Sequence, residues 1–253
     1  VDGALSRYND VKKKFPGFGD MNYIQADASH LLNSEAQLKV FPNMSKDNLS
    51  LFNDVFGDKN RKFDIINSSF AIHYLFSDEN SVDNLVSNIS NLLKIGGFII
   101  CELFDADLVM KMLGENDTYT SFYTDEEGKK RIFYEIVKKF DGKYDNKIGR
   151  AIDVHMSWFC DDGQYFTEYL VSKDLMVSTM KKAGCYLIDT DIFRNVYNLN
   201  KDWFERVAPT EENIKNKKFY AKVQKFYEDL DGPDKQSKEY SFLNRYYIFK
   251  KIE

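Results

Sequence analysis

The sequence predicts an α/β fold built on a doubly wound, mostly parallel sheet. Short apolar runs at 21–27, 63–69 and 98–103 have the length of buried strands, and each is followed by polar residues. An amphipathic segment at 81–94 separates the last two runs. Because strands that alternate with helices form parallel sheets, we expect the carboxyl ends of these strands to share one rim, where such sheets bind ligands.

The elements of the first half follow from local patterns. Residues 1–3 are typical of the end of a strand, and the run at 21–27 predicts a strand that ends in Asp27. Gly96 and Gly97 end the helix at 81–94, since glycine adopts left-handed dihedral angles at little cost. The helices expected in this half cover 4–15, 47–56 and 81–94.

The second half is less regular and predicts antiparallel strands near the C-terminus. Segments 114–130 and 141–149 resemble loops or hairpin turns, and Gly184 ends a helix. We find no repeat and no low-complexity linker, so residues 1–253 are expected to form a single domain. The strands expected here cover 151–159, 165–171, 185–193 and 246–252, and the helices 173–183 and 215–230.

Composition excludes several classes of protein. With a net charge of −5 and a pI near 5.4, any contact with RNA must come from a local patch. The three cysteines are scattered and only three histidines occur, which argues against a disulfide framework and against a metal site. There is no apolar run of about 18 residues and no signal peptide, so we expect an intracellular protein that contacts no membrane.

Polar residues at the predicted strand ends suggest a nucleoside site. Asp2, Asp27, Asp105 and the segment 68–74 are all expected on the same rim. A carboxylate at the end of such a strand can accept hydrogen bonds from both ribose hydroxyls, and Asp2 is our candidate for this role. A second carboxylate can accept a hydrogen bond from an adenine amino group, and Asp27 is our candidate for that role. The alternative for each acid is to cap a helix N-terminus.

Residues 69–76, SFAIHYLF, resemble the F-A-[IL]-H-Y motif of eukaryotic and large-DNA-virus mRNA cap (guanine-N7) methyltransferases. The strand FTEYLV at 166–171 resembles the family's F-x-E-Y-L-V strand, and LLKIGG at 92–97 resembles a turn common to class I methyltransferases. The chain as a whole resembles the C-terminal methyltransferase module of viral capping enzymes. Further segments that resemble the family are VDG at 1–3, QAD at 25–27, FDAD at 104–107 and YYIF at 246–249.

The resemblance implies a class I (Rossmann-like) fold and a transfer of methyl from S-adenosylmethionine to N7 of the guanine cap of mRNA. No general base is expected, because guanine N7 carries no proton, so His73, Tyr74 and Glu168 would act by alignment. A carboxylate at Glu168 would accept the N1–H and N2–H₂ donors of guanine. The cofactor residues it implies are Asp2, Asp27, Ala28, Ser69, Phe70 and His73. The guanine residues it implies are Phe70, His73, Tyr74, Glu168 and Tyr246.

Other interpretations of single residues stay open. A buried histidine such as His73 is more often a core residue, and an acid such as Glu168 is more often half-exposed on a strand. Basic residues at 12–14 and 215–225 could follow RNA phosphates or be solvated helix faces.

The glycine-rich loop that precedes the ribose strand in the family is not found in these residues, so we expect a domain that lacks its first strand and that loop. Three explanations are open, a fragment of a longer chain, a missing piece supplied by a separate chain, or a degenerate relative, and we favour the first. Loss of the loop would suit a non-catalytic, methyltransferase-like subunit that stimulates a capping partner. A small-molecule methyltransferase is a further alternative, which leaves the match at 166–171 unexplained. The expected partners are the capped 5′ end of mRNA and other modules or subunits of a capping enzyme. The expected location is the cytoplasm, viral factory or virion for a viral protein and the nucleus for a cellular one.

Overall fold

The computed structural model describes residues 2–206 and 235–253, with side chains for 3–200 and 235–253. The predicted helix at 215–230 therefore lies outside the described residues. The helices are α1 (Asp2–Lys14), α2 (Ser34–Val40), α3 (Lys46–Phe56), a 3₁₀ helix (Ile72–Phe76), α4 (Glu79–Leu92), α5 (Ala106–Leu113), α6 (Lys173–Lys182), α7 (Phe193–Arg206) and α8 (Lys235–Ser241). The strands are β1 (Phe63–Ser69), β2 (Leu93–Phe104), β3 (Thr118–Thr124), β4 (Lys130–Lys138), β5 (Ala151–Met156), β6 (Phe166–Tyr169), β7 (Cys185–Ile192) and β8 (Asn244–Lys251).

The first sheet has the order β1-β2-β8-β7. β1 and β2 are parallel, whereas β8 runs antiparallel to both of its neighbours. Alternate residues of β2, including Ile99 and Cys101, are buried in one core with α4 and α6, while Glu102 faces the other side towards α7. The predicted α/β class, with helices on both faces and antiparallel C-terminal strands, is confirmed.

The second sheet is antiparallel, in the order β3-β4-β5-β6, and has a core of its own. Tyr134 and Ile152 are fully buried in that core together with side chains of α5. The two sheets meet at the end of β2, where Asp105 bridges to Val171 and its Oδ2 lies 2.6 Å from Nε of Arg245 on β8. This junction brings β6 next to the rim of the first sheet.

Two predicted strand segments are wrong. Residues 21–27 are irregular, and the backbone of Asp2 begins α1 instead of ending a strand. A strand requires a partner, and within 2–206 and 235–253 β1 pairs with β2 alone. Side-chain amides replace the hydrogen bonds that a neighbouring strand would make. The amide of Asn48 hydrogen-bonds to the N–H and the carbonyl of Gln25, and the amide of Gln37 does the same for Asp27.

Smaller corrections concern where elements end. α6 is followed by Gly184 at φ +72°, as predicted, but α4 ends at Leu92, and Gly96, at φ +85°, lies inside β2. β5 ends at Met156 rather than at 159, because the carbonyl of Met156 accepts the N–H groups of Phe159 and Cys160 and turns the chain. None of the helices in the described part of the chain has the length and apolar character needed to cross a membrane.

Candidate functional site

A cavity of about 420 Å³ lies where the two sheets meet. Its volume falls within the range of small-molecule sites, and most of its wall is apolar or aromatic. Four of the predicted guanine residues are brought together here: Phe70, His73, Tyr74 and Glu168. The rest of the wall consists of Leu103, Phe104, Met156, Trp158, Phe159, Phe193, Tyr240, Ser241 and Asn244.

The segment after β1 sets the first three of these side chains. The N–H of Phe70 donates to the carbonyl of Glu102 at 2.8 Å, and Phe70 adopts φ +53°, a left-handed conformation that is uncommon for a residue with a side chain. Ile72 and Phe76 of the 3₁₀ helix are buried in the first core. Anchored in this way, the turn presents Phe70 to the cavity with 53% of its surface exposed.

His73 and Glu168 form the polar end of the cavity. Nε2 of His73 lies 3.3 Å from Oε2 of Glu168, and the two residues are only 4% and 9% exposed. The contact lacks the alignment of a hydrogen bond, and neither ring nitrogen of His73 has a partner among the described residues. Buried polar groups without partners are rare in folded proteins, so the unsatisfied ring nitrogens of His73 mark this end of the cavity as unusual.

Burial sets the protonation of this pair. It lowers the pKa of His73 to about 4 and raises the pKa of Glu168 to about 7. His73 is therefore a neutral ring at pH 7, with one donor and one acceptor. Burial, followed by the charge of Glu168, also raises the pKa of Tyr74, whose ring lies 4.1 Å from that of His73. The cavity thus combines a carboxyl group that can accept two hydrogen bonds with two neutral donors.

Sequence reasoning missed the aromatic wall opposite β1. Trp158 is 51% exposed, and its ring lies 5.1 Å from Tyr240 at an interplanar angle of 84°. Tyr240 is on α8, and its hydroxyl donates to Sδ of Met156 at 3.0 Å. Trp158 was placed inside a predicted strand, whereas it belongs to the turn after β5. Its rarity, as one of two tryptophans, was the available signal.

Tyr246 does not line this cavity. It lies on the other face of β8 from the buried Tyr247, and its hydroxyl donates to Asp189 at 3.0 Å. Together with Glu102 and Phe193 it lines a neighbouring cavity. The expectation that Tyr246 contacts the guanine with the other four residues is therefore not supported by its position.

The acids predicted on the rim have local roles. Asp105 caps α5 through the N–H of Leu108 and pairs with Arg245. Asp27 accepts hydrogen bonds from the backbone N–H and hydroxyl of Ser29, at 2.9 and 2.6 Å, and lies 3.2 Å from His30. Burial raises the pKa of Asp27, but the bonds from Ser29 and the nearby His30 outweigh it and lower the pKa overall.

Two other predicted cofactor residues are accessible. Ala28 is exposed in the turn that follows Asp27, and Ser69 is exposed at the end of β1, where its hydroxyl bonds the side chain of Asn67 at 3.3 Å. The side chain of Asp2 lies outside those described.

Comparison with known proteins connects this geometry to a family. The family model described as the mRNA (guanine-N(7))-methyltransferase domain matches residues 26–252. The chain belongs to the mRNA (guanine-N7)-methyltransferase family. The "Probable mRNA-capping enzyme" of Acanthamoeba polyphaga mimivirus is 35% identical over 99% of the chain. The mRNA cap guanine-N(7) methyltransferase of Schizosaccharomyces pombe is 34% identical over 24% of the chain and 17% of its own length.

The chain spans about a fifth, 22%, of the length of the mimivirus relative. Among solved structures, an S-adenosylmethionine-dependent methyltransferase from Mesorhizobium loti shares 14% identity over 95% of this chain and 75% of its own, with a TM-score of 0.37. A methyltransferase from Clostridium acetobutylicum, also dependent on S-adenosylmethionine, shares 15% identity over 81% of this chain and 72% of its own, with the same TM-score of 0.37.

Membership in the cap methyltransferase family implies S-adenosylmethionine as the methyl donor, and the rim of β1 fits such a group. Ser69 and Asn67 expose a hydroxyl and an amide along one side of the strand, and the exposed ring of Phe70 stands next to them. A left-handed residue at the end of a strand is the kind of backbone irregularity that marks ligand sites. Exposed polar groups thus lie beside Phe70, whose ring lines the cavity that holds Glu168.

Proposed function

We propose that the chain transfers a methyl group from S-adenosylmethionine to N7 of the guanine at the capped 5′ end of mRNA. The observation that carries this proposal is the buried Glu168 carboxyl, 3.3 Å from an unpartnered His73, in an aromatic cavity of a member of this family. Neither group has another role in the described residues that would explain its burial.

Recognition of guanine follows from the hydrogen-bonding groups of its edges. The Glu168 carboxylate accepts N1–H and N2–H₂ in a bidentate, charge-assisted pair. Neutral His73 and the Tyr74 hydroxyl are the donors available for O6. Phe70 and Trp158 both line the cavity and provide aromatic surface for the base, with stacking worth roughly 1–3 kcal/mol. A base with the wrong edge would leave these buried polar groups unpaired.

The chemical step asks for alignment rather than acid–base catalysis. When bound, S-adenosylmethionine supplies a methyl group that is already activated by its sulfonium. Guanine N7 has a free lone pair, so no residue has to remove a proton. The cavity residues hold the base in one orientation, and the apolar wall of Leu103, Phe104 and Met156 keeps water away.

For the cofactor we propose Ser69 and Phe70 at the rim and the buried His73 inside the cavity, with Asp27 and Ala28 on the adenine and Asp2 on the ribose. Support for Asp27 is that Ser29 fixes Oδ1 of its carboxylate, which leaves Oδ2, 3.2 Å from the exposed ring of His30, as the oxygen for the adenine amino group. Asp2 is proposed from the family resemblance alone.

We further propose that the two sheets fold as one domain and that the chain works inside the cell, beside other modules that build the cap. The domain proposal rests on the bridge from Asp105, at the end of β2, to Val171, which directly follows β6 and so links the two sheets. Residues 1–253 would then unfold in a single cooperative transition.

A methyl-transfer assay on an unmethylated capped RNA, followed by digestion and identification of 7-methylguanosine, tests the function. Glu168→Gln should lower kcat/KM by roughly a hundredfold or more, since an amide offers one acceptor and turns a donor towards a guanine donor. Asp153→Asn is the matched control, because Asp153 is also a strand acid but bonds Thr167 and Lys139 away from the cavity. Binding of capped RNA without transfer would favour a non-catalytic subunit, and full activity in Glu168→Gln would overturn the assignment.

A further inference from the structure

A second cavity, of about 550 Å³, lies on the other side of the chain segment that walls the guanine cavity. We call it the hairpin groove, because one wall is the tip of the β3–β4 hairpin and the other is the segment from the end of β5 to the start of β6. The side chains that shape it are Tyr123, Lys130, Arg131, His155, Asp162 and Tyr165.

The two cavities are neighbours across a single stretch of backbone. Met156 and Trp158 line the guanine cavity, whereas His155 and Ser157 line the hairpin groove. His155 and Met156 are successive residues of β5, whose side chains point to opposite faces, so only the thickness of one chain separates the two spaces there. The groove is therefore the adjoining space for a ligand that extends beyond the guanine cavity on this side.

An unbroken row of aromatic rings connects the two cavities. Tyr240 contacts Trp158 at 5.1 Å, Trp158 contacts Phe133 at 5.0 Å, and Phe133 contacts Tyr123 at 5.9 Å. Trp158 is 51% exposed and Tyr123 38% exposed, and Phe122 beside it is similarly open. Exposed aromatic rings in a row provide successive stacking surfaces for single-stranded bases.

The groove also carries positive charge, of limited strength. Nζ of Lys130 lies 3.8 Å over the ring of Phe122 and has no carboxylate partner within the described residues. Arg131 pairs with Asp125 at 2.9 Å, and Asp125 also accepts the backbone N–H groups of residues 127 and 129. Asp162 is the remaining acid of the groove. Lys130 is thus the cation best placed to bind a phosphate.

His155 adds a buried polar group to the floor. It is 4% exposed, and its Nδ1 donates to the carbonyl of Gln164 at 2.8 Å, which leaves Nε2 as the ring nitrogen that a ligand could bind. The ring of Tyr165 lies 5.6 Å away. A ring nitrogen beside an aromatic ring is suited to a hydrogen bond with a ribose hydroxyl or a base edge.

We propose that the hairpin groove binds the first transcribed nucleotides of the RNA, directly behind the cap guanosine. This inference rests on the proposed function, because it places the RNA body beyond the guanine cavity. The bases stack on Tyr123 and the neighbouring rings, and Lys130 binds one backbone phosphate. Most of the affinity comes from stacking, since Asp125 and Asp162 offset much of the positive charge.

Direct binding tests this without relying on catalysis. The probes are GTP, which carries the guanine and a triphosphate but no RNA body, and a capped single-stranded RNA of about ten nucleotides. The wild-type protein should bind the RNA at least about fivefold more tightly than GTP. Lys130→Ala and Tyr123→Ala should each remove most of that gain and leave GTP binding unchanged.

Lys129→Ala is the matched control, because Lys129 is the adjacent lysine but pairs with Glu127 and does not line the groove. Salt dependence gives a second readout: Lys130→Ala should reduce the slope of log affinity against log salt by about 0.7, the value of one phosphate on a single strand. Asp162→Asn should strengthen RNA binding by roughly twofold, because it removes a like charge beside the phosphate path.

The two proposals fail differently. If Glu168→Gln affects neither probe, the guanine cavity is misassigned. Glu168→Gln could weaken the binding of both probes while Lys130→Ala and Tyr123→Ala behave like Lys129→Ala. In that case the guanine cavity is correctly assigned and the groove does not bind RNA. A 4-thiouridine at the first transcribed position should crosslink to residues 122–131 or 155–165, and crosslinks confined to other segments would overturn the groove proposal.

Discussion

Glu168 and Asp27 are both acids that the sequence assigns to ligand binding, and the structure gives them opposite surroundings. Asp27 is bonded by its own turn, which lowers its pKa and keeps it ionised. Glu168 is buried beside an unpartnered histidine, and burial raises its pKa to about 7. A carboxylate whose hydrogen bonds are made within its own turn stabilises the folded chain. A buried carboxyl group without partners lowers the stability of the fold, and a ligand that supplies the partners can offset that loss.

The largest expected consequence of this contrast is a pH dependence of cap binding. Guanine needs the ionised form of Glu168, so affinity for a GpppG cap dinucleotide should be maximal above pH 7 and fall roughly tenfold per pH unit below it. Titration calorimetry between pH 5 and pH 8, a range of about two units below and one above that pKa, measures it. In Glu168→Gln the affinity should be weak and flat with pH, and an unchanged profile in this variant would exclude Glu168 as its source.

The stability of the protein should depend on pH through Glu168 and His73, whose contributions change with pH in opposite directions. The pKa of Glu168 rises from 4.5 to about 7, so its contribution to the free energy of unfolding falls as pH rises through that window. The pKa of His73 falls from 6.5 to about 4, so its contribution rises with pH between those values. Each change amounts to about 3 kcal/mol at most, and in the wild type they largely cancel.

Single variants should separate the two contributions. His73→Gln should become less stable from pH 4.5 to pH 7, and Glu168→Gln should become more stable from pH 4 to pH 6.5. Urea unfolding at several pH values gives both slopes. Equal slopes in the two variants would contradict the assigned protonation states.

The smallest expected effect concerns Asp27, where two substitutions distinguish its contribution to stability from its contribution to cofactor binding. Asp27→Ala removes the bonds from Ser29 and should cost about 1 kcal/mol of stability. Asp27→Asn keeps an acceptor for Ser29, so its melting temperature should stay near that of the wild type while S-adenosylmethionine binds several-fold more weakly. Unchanged cofactor affinity in Asp27→Asn would mean that Asp27 only stabilises its turn and does not bind the cofactor.

The sequence predicted a strand correctly where a neighbouring strand is present to pair with it. The strand at 63–69 was predicted with its observed bounds, because its neighbour β2 is in the chain and pairs with it. The run at 21–27 has a similar apolar pattern, yet it is not a strand, since Asn48 and Gln37 rather than a second strand bond its backbone. A short apolar run predicts the capacity to form a strand, and pairing decides the outcome.

The site was predicted where one short motif places several side chains, and missed where distant segments meet. Phe70, His73 and Tyr74 follow one strand, so a local pattern was enough to find them. Trp158 enters through a turn set by the Met156 carbonyl, and Tyr240 comes from a helix far along the chain. Neither position has a glycine, proline or spacing signal, and only the folded chain brings the two side chains together.

Discrimination between guanosine and inosine caps tests the central claim most directly, because inosine lacks only the N2 amino group that Glu168 is proposed to accept. The measurement is the ratio of kcat/KM for GpppRNA and IpppRNA, in the wild type and in Glu168→Ala. The wild type should favour guanosine by roughly tenfold or more, the value of a charge-assisted hydrogen bond, and the variant should bring the ratio close to one. A variant that is impaired but keeps the full preference for guanosine would contradict the assignment of Glu168 as the residue that recognises the cap.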